Sequence, residues 1–356
     1  MRKFTFKLPA FLKTIVLLLV IAACSRGIFT TTAASEAVGR AAGAALQGDA
    51  AAAAKILAEI PATKFAWGDA SFRTCMIDRF GPNPRPMTDL GIGDAWVNSL
   101  AQAYVAYWQQ VLTNANGRAE AEDELAQSVG NLIGHPLHIA VELDGIDDEI
   151  QAAVNKRGLH VLLRRTAPFR EFMLWRKQTT DQRQVNLPEG GPFPVKVTFL
   201  DDFLVRGWGY YATCGRSPVG GWATADGLFA VVPSYSSLTD EIFSVRFVAH
   251  ESQHFSDKQA FGNLENWELE YRAKLVELAL ADASQASTLE GICGNRGMDK
   301  NVPHAYADSK IVSEIDLRLK VTSNDAGICG SRRVSGQAIR DAARAALLDD
   351  SEQRRH

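Results

Sequence analysis

The chain has 356 residues, 46% apolar and 22% charged, and 38 basic against 41 acidic side chains give a formal charge of −3. That balance is too apolar for a disordered chain and supplies enough material for a buried core. It excludes a nucleic-acid partner bound through global positive charge, and the length suits one large domain or two modest ones.

Residues 1–23 read as a signal peptide. Arg2, Lys3, Lys7 and Lys13 make a basic start, and Ile15 to Cys24 is a short apolar run. Such a run is too short to span a bilayer and has the length of a signal-peptide core. Its end, Ile21-Ala22-Ala23-Cys24, resembles the lipobox of bacterial lipoproteins. The resemblance implies that Cys24 is lipidated as the first residue of the mature protein, with the membrane as a partner through that anchor. Ser25, where an Asp would imply retention at the inner membrane, favours the outer membrane of a bacterial envelope, facing the periplasm. In that oxidising compartment Cys75, Cys214, Cys293 and Cys329 become disulfide candidates, with three connectivities open. The absence of any Cys-x-x-Cys pair argues against a thiolate zinc ribbon.

Residues 24–65 read as a tether followed by Ala-rich helices. Ser35 to Glu59, broken at Gly43 and at Gly48-Asp49, predicts two short helices, the second capped by Asp49. Residues 66–190 read as a helical region. Three prolines between Gly81 and Pro86 make a loop. Val97, Leu100, Tyr104, Tyr107/Trp108 and Val111 then recur at helical spacing and predict a core-facing helix over 94–112. Further helices are predicted over 119–133, 147–155 and 169–182. His135, His138 and His160 fall in this half without a ligand-like spacing to any partner.

At Pro188-Glu189-Gly190-Gly191-Pro192 the period changes. Val195, Val197 and Phe199 alternate with Lys196 and Thr198, as a half-buried strand does. Segments 207–213 and 221–232 add strand-like composition. A largely helical N-terminal half followed by a small antiparallel sheet and more helices predicts an α+β fold.

Thr239 opens the next predicted helix, with Asp240 and Glu241 in its first turn. Phe243, Phe247, His250 and His254 follow at i, i+4, i+7 and i+11, and the run His250-Glu251-Ser252-Gln253-His254 is an HExxH motif. Two histidines one turn apart can present ring nitrogens to one metal ion, with the Glu placed to take a proton from a water on that ion. A catalytic zinc takes three protein ligands and leaves one position open. Asp257 lies about 10 Å along the helix axis from His250, too far to share the ion. Among Glu265, Glu268, Glu270 and Glu277, Glu270 is the expected third ligand. Ala273, one turn on, allows its helix to approach closely, whereas Glu268 points about 200° away. Glu277 is the second choice.

These residues resemble the gluzincin group of zinc metallopeptidases, in which HExxH supplies two ligands and a base and a Glu within ExxA supplies the third ligand. The matching residues are His250, Glu251, His254 and Glu270-Tyr271-Arg272-Ala273, over about residues 195 to 280. The resemblance implies one zinc per chain and a peptide or protein substrate. It also implies a zincin-like metal-site region over 191–290, with a sheet edge near 221–232 beside the metal and the sheet packed on the HExxH helix and a following ligand helix. Residues 291–356 read as a C-terminal helical region. Where several members of the group carry Asp after the Ala, this chain has Lys274, which leaves Asp257 or Glu277 to orient a ligand. In the mechanism so implied, Glu251 is the general base and His304 or Tyr306 donates to the developing oxyanion, with Tyr271 a weaker choice. The alternative is a non-catalytic zinc-binding or envelope-scaffold lipoprotein, for which a base at Glu251 has no use.

Overall fold

The computed structural model describes residues 32–85, 90–166, 168–321, 327–330 and 334–355; the signal segment and Cys24 lie outside the described residues. Two compact units emerge, one of residues up to Arg176 plus Phe203–Val219, the other of Lys177–Asp202 plus Gly220 onward. No helix among the described residues is long and apolar enough to cross a membrane.

The first unit opens with α1 (Thr32–Leu46) and α2 (Ala50–Ala58). Gly43 does not break α1, because the alanines around it carry the helix and bury Ala34, Ala37, Ala41 and Ala45. Asp49 caps α2, its side chain accepting from the Ala52 amide at 2.8 Å. After α3 (Trp67–Phe80), the apolar stripe builds α4 (Ala95–Thr113), with Asp94 as N-cap. Trp108 is fully buried there and donates its indole N–H to the Arg170 carbonyl at 2.9 Å. Then come α5 (Arg118–Ile133), the single turn α6 (Ala140–Leu143) and α7 (Asp147–Asn155).

Beyond α7 the chain departs from the expected helices. His160 begins β1 (His160–Thr166), and the segment expected to be helical over 169–182 belongs to a long strand, β2 (Phe169–Leu187). Residues 169–175 are buried without interruption. A segment buried on both faces shows no alternation, so its pattern does not separate a buried strand from a buried helix. Pairing with β1, from Thr166 opposite Phe169 to His160 opposite Trp175, settles the matter. β3 (Gly191–Arg206) returns, and segment 207–213, expected to be strand, forms the short helix α8 (Trp208–Ala212). Gly207 adopts φ +87°, and a Cβ there would collide with the Glu171 carboxylate, so the strand ends at a residue only glycine suits.

In the second unit the hairpin β4 (Gly221–Thr224) and β5 (Gly227–Val231) completes a five-stranded sheet of order β1-β2-β3-β5-β4. The sheet is mixed, not purely antiparallel, because β5 runs parallel to β3 over Val197–Leu200. Parallel neighbours need a long connection, and the α8 excursion supplies it. The remaining elements are α9 (Glu241–Phe243), a π-helical stretch Ser244–Ala249, α10 (His250–Phe261), α11 (Asn266–Leu280), α12 (Gln285–Gly294), α13 (Pro303–Leu319), α14 (Gly327–Gly330) and α15 (Gly336–Arg355). The N-cap of α9 is Asp240, not Thr239; its carboxylate accepts from the Phe243 amide at 3.0 Å.

The π stretch adds a residue per turn and shifts the phase of the helix that follows. Phe243, Phe247 and Val248 pack with Val195 and Val197 of β3 and Leu228 and Ala230 of β5. Ala249 joins a different cluster, with Leu275, Leu278, Ile311 and Leu347 from the helices. One helical run thereby serves two cores, and the histidines after it turn towards α11.

The four expected cysteines form two disulfides, Cys75–Cys214 in the first unit and Cys293–Cys329 in the second. Non-reducing peptide mapping is expected to recover these two pairs and neither alternative connectivity. Replacing Cys75 and Cys214 together by Ala is expected to cost about 2–5 kcal/mol in urea unfolding.

Candidate metal centre

α10 and α11 pack side by side within the second unit. Gly262, at φ +70°, closes α10, and Glu265 and Glu268 form a reciprocal cap at the start of α11. Across this pair His250, His254 and Glu270 converge, with donor atoms all within 4.8 Å of one another. The two Nε2 atoms are 3.1 Å apart, and each lies 3.6 Å from a Glu270 oxygen.

Glu277 sits on the stripe of Glu270, two turns on. Its Oε1 is 2.6 Å from Nδ1 of His250. A carboxylate only accepts, so Nδ1 carries the proton and Nε2 keeps its lone pair. His250 is therefore held at Nδ1 by Glu277, while Nε2 faces His254 and Glu270. Burial alone would lower its pKa, but the bond and charge of Glu277, aided by Glu270 and Glu251, hold it raised. Burial would likewise raise Glu270; contacts from His254 and His304 with the nearby charge of His250 hold it far below the usual carboxylate range.

This donor set fits a tetrahedral ion. Bonds of 2.0–2.2 Å at tetrahedral angles put neighbouring ligand atoms about 3.4 Å apart; the Nε2 pair at 3.1 Å and the two 3.6 Å contacts, which reach different Glu270 oxygens, lie near that value. Two imidazole lone pairs facing each other are repulsive unless a cation or a proton lies between them. His250, His254 and Glu270 would hold the ion, and Glu277 would orient His250, the role an Asp at position 274 would otherwise take. Asp257 does not share that role, because Arg272 and Gln253 occupy it. Nδ1 of His254 is buried without a hydrogen-bond partner among the described residues.

Glu251 lies half-buried on the turn between the histidines. Tyr235 is close enough that burial first, and then the Glu251 charge, push its phenol well above the ordinary range. His304, at the start of α13, places Nδ1 2.8 Å from Glu270 Oε2 while its side chain stays 63% exposed. Tyr306 is turned elsewhere, edge-on to Trp267 at 5.2 Å. Tyr271 packs against the helical core.

Sequence reasoning missed Arg272, two residues after Glu270. It is fully buried and meets Glu189, Asp257 and Asp350, so one guanidinium ties the β2–β3 turn, α10 and α15 to the ligand helix. Its only signal in the sequence is a charge within an amphipathic helix, and such charges are ordinarily exposed.

Purified protein lacking residues 1–23 is expected to bind one zinc by elemental analysis, and His254→Ala or Glu270→Ala to abolish that binding. Glu277→Ala is expected to keep the stoichiometry and weaken affinity about 10–100-fold, measured by chelator competition. Arg272→Met leaves buried carboxylates unpaired and is expected to cost about 3–5 kcal/mol in denaturant unfolding.

Comparison with family profiles, with curated proteins and with solved structures gave no match.

Proposed function

We propose that this chain is a zinc-dependent hydrolase of peptide bonds, exported and held by a lipid on Cys24 at the outer membrane, facing the periplasm. The observation that carries the reading is the convergence of His250, His254 and Glu270 with Glu251 on the intervening turn. The resemblance to gluzincins supports it, as does the placement of the third carboxylate on the following helix. The two disulfides suit an oxidising compartment, and the lipobox-like end of the signal segment supports the anchor.

A zinc ion bound there would supply a Lewis acid that polarises a carbonyl and makes water acidic near neutral pH. The residues of the chain do the rest. Glu251 takes the proton of the attacking water and delivers it to the leaving amine. His304, with Nδ1 2.8 Å from Glu270 Oε2, donates from Nε2 to the developing oxyanion as the imidazolium, which carries a proton on each ring nitrogen. Tyr306, its ring edge-on to Trp267, is the second candidate donor to that oxyanion. β4 is one of the two edge strands of the sheet, and its open backbone groups would align an extended peptide.

A non-catalytic zinc staple is the competing reading. Three protein ligands favour the hydrolase, because a structural zinc fills its fourth position from the protein. The two separate in one experiment, an unbiased peptide-library digest with zinc-loaded protein and Glu251→Gln as control. The expected outcome is cleavage by wild type and a loss of about 10²-fold or more in Glu251→Gln at unchanged zinc content. A zinc-loaded wild type that cleaves nothing, and whose folded state is lost on chelation, would establish the staple.

A further inference from the structure

The position that departs from the gluzincin pattern, Lys274, is engaged in the structure. Its Nζ lies 2.6 Å from Asp308 Oδ1 on α13, and the amide of Asn295 donates to Asp308 Oδ2 at 2.8 Å. Asp308 is fully buried and the Lys274 side chain is 13% exposed. Both oxygens of a buried carboxylate are therefore satisfied, and removing Lys274 would leave an uncompensated charge inside the protein.

A second contact joins the same two helices. Glu270 meets His304, and Lys274 meets Asp308, at one offset of 34 residues. The helices thus run the same way past each other, and the two contacts are successive rungs one turn apart. The signs alternate: a carboxylate faces the imidazole on the first rung, and an ammonium faces a carboxylate on the second. Sliding α13 by one turn would bring His304 to Lys274 and lose both rungs.

The rungs are unequal in strength. His304 is mostly exposed and sits in the first turn of its helix, and exposed ion pairs contribute only about 0–1 kcal/mol. Deeper along the interface, Leu275, Leu278, Ile311 and Ile315 share one apolar cluster, and apolar packing does not by itself choose a register. Beside the edge-on Trp267–Tyr306 pair near the start of both helices, the buried Lys274–Asp308 rung is the charged directional contact that can choose it. The loop before α13 adds support, with the Gly297 amide bound to the Ala305 carbonyl and the Ser309 hydroxyl to the Gly297 carbonyl.

We propose that Lys274 is a positioning residue, whose buried pair with Asp308 sets the register of α13 against α11 and thereby holds His304 on the third metal ligand, Glu270. The proposal rests on the reading of His250, His254 and Glu270 as a metal centre. It gives Lys274 a function that an acidic residue at this position could not perform.

The test is a double-mutant cycle read by zinc affinity in chelator competition, independent of any activity. Lys274→Met is expected to weaken zinc binding about tenfold, the scale of a lost outer-shell contact, and Lys274→Arg to recover most of it. In a His304→Ala background, Lys274→Met is expected to change nothing further. An equal loss in both backgrounds would show that Lys274 does not act through His304, and no loss in either would overturn the proposal outright. Amide exchange at Tyr306–Asp308 in metal-free protein provides a second readout, expected to accelerate in Lys274→Met and not in Lys274→Arg. If wild type binds no zinc, the metal reading fails by itself; exchange left unchanged by Lys274→Met would then remove the register claim as well.

Discussion

A guanidinium stays charged at any pH a protein meets, so one sealed from water must be surrounded by acceptors. Arg272 is sealed in this way, and the second unit is organised around meeting that requirement. Its partners come from the β2–β3 turn, from α10 and from α15, segments distant in sequence. The aromatic face of Phe261 closes over it at 4.8 Å. Because the same helix carries Glu270 and Glu277, the counter-charges that hold Arg272 also fix where those two carboxylates stand. Asp257 shows the strain of the arrangement: burial raises its pKa, and Arg272 opposes the rise.

On that scaffold the candidate centre is built from few degrees of freedom. Two carboxylates two turns apart converge on one imidazole, which sets its tautomer and aims its second nitrogen at His254. Nothing equivalent restrains His254 through Nδ1, so the two histidines differ in their support although the motif treats them alike. The π stretch before His250 is the other ingredient. An unbroken α-helix could not keep Phe243 and Phe247 against the sheet and also present His250 to α11.

The centre was legible from the chain because its signals are local and chemical. HExxH names its own residues, and Ala273 marks the side on which the next helix approaches. Glu277 was harder: spacing alone places it on the right stripe but does not say that it meets Nδ1 rather than the ion. Arg272 and the Lys274–Asp308 rung were invisible, because both depend on partners brought in by tertiary folding from 15 to 83 residues away. In the first half the alternation test failed where it has no power. Phe169 to Trp175 is buried on both faces, its charged Arg170 and Glu171 included, and the exposed stretch after it looks like the polar flank of a helix. The parallel pairing of β3 with β5 leaves no periodic trace at all.

The long strands β2 and β3 each contribute to both units, so neither unit is a continuous stretch of chain. There is no linker to cut. A gene fragment starting at the strand-rich segment near residue 191 would omit the part of β2 that belongs to the second unit, along with Glu189, a counter-ion of Arg272. One ending there would lack Phe203–Val219, and with it Cys214. Assembly of either unit has to wait until residues on both sides of the hairpin have been synthesised. The closing of Arg272's cage, and of the centre beside it, therefore waits until α15 has arrived.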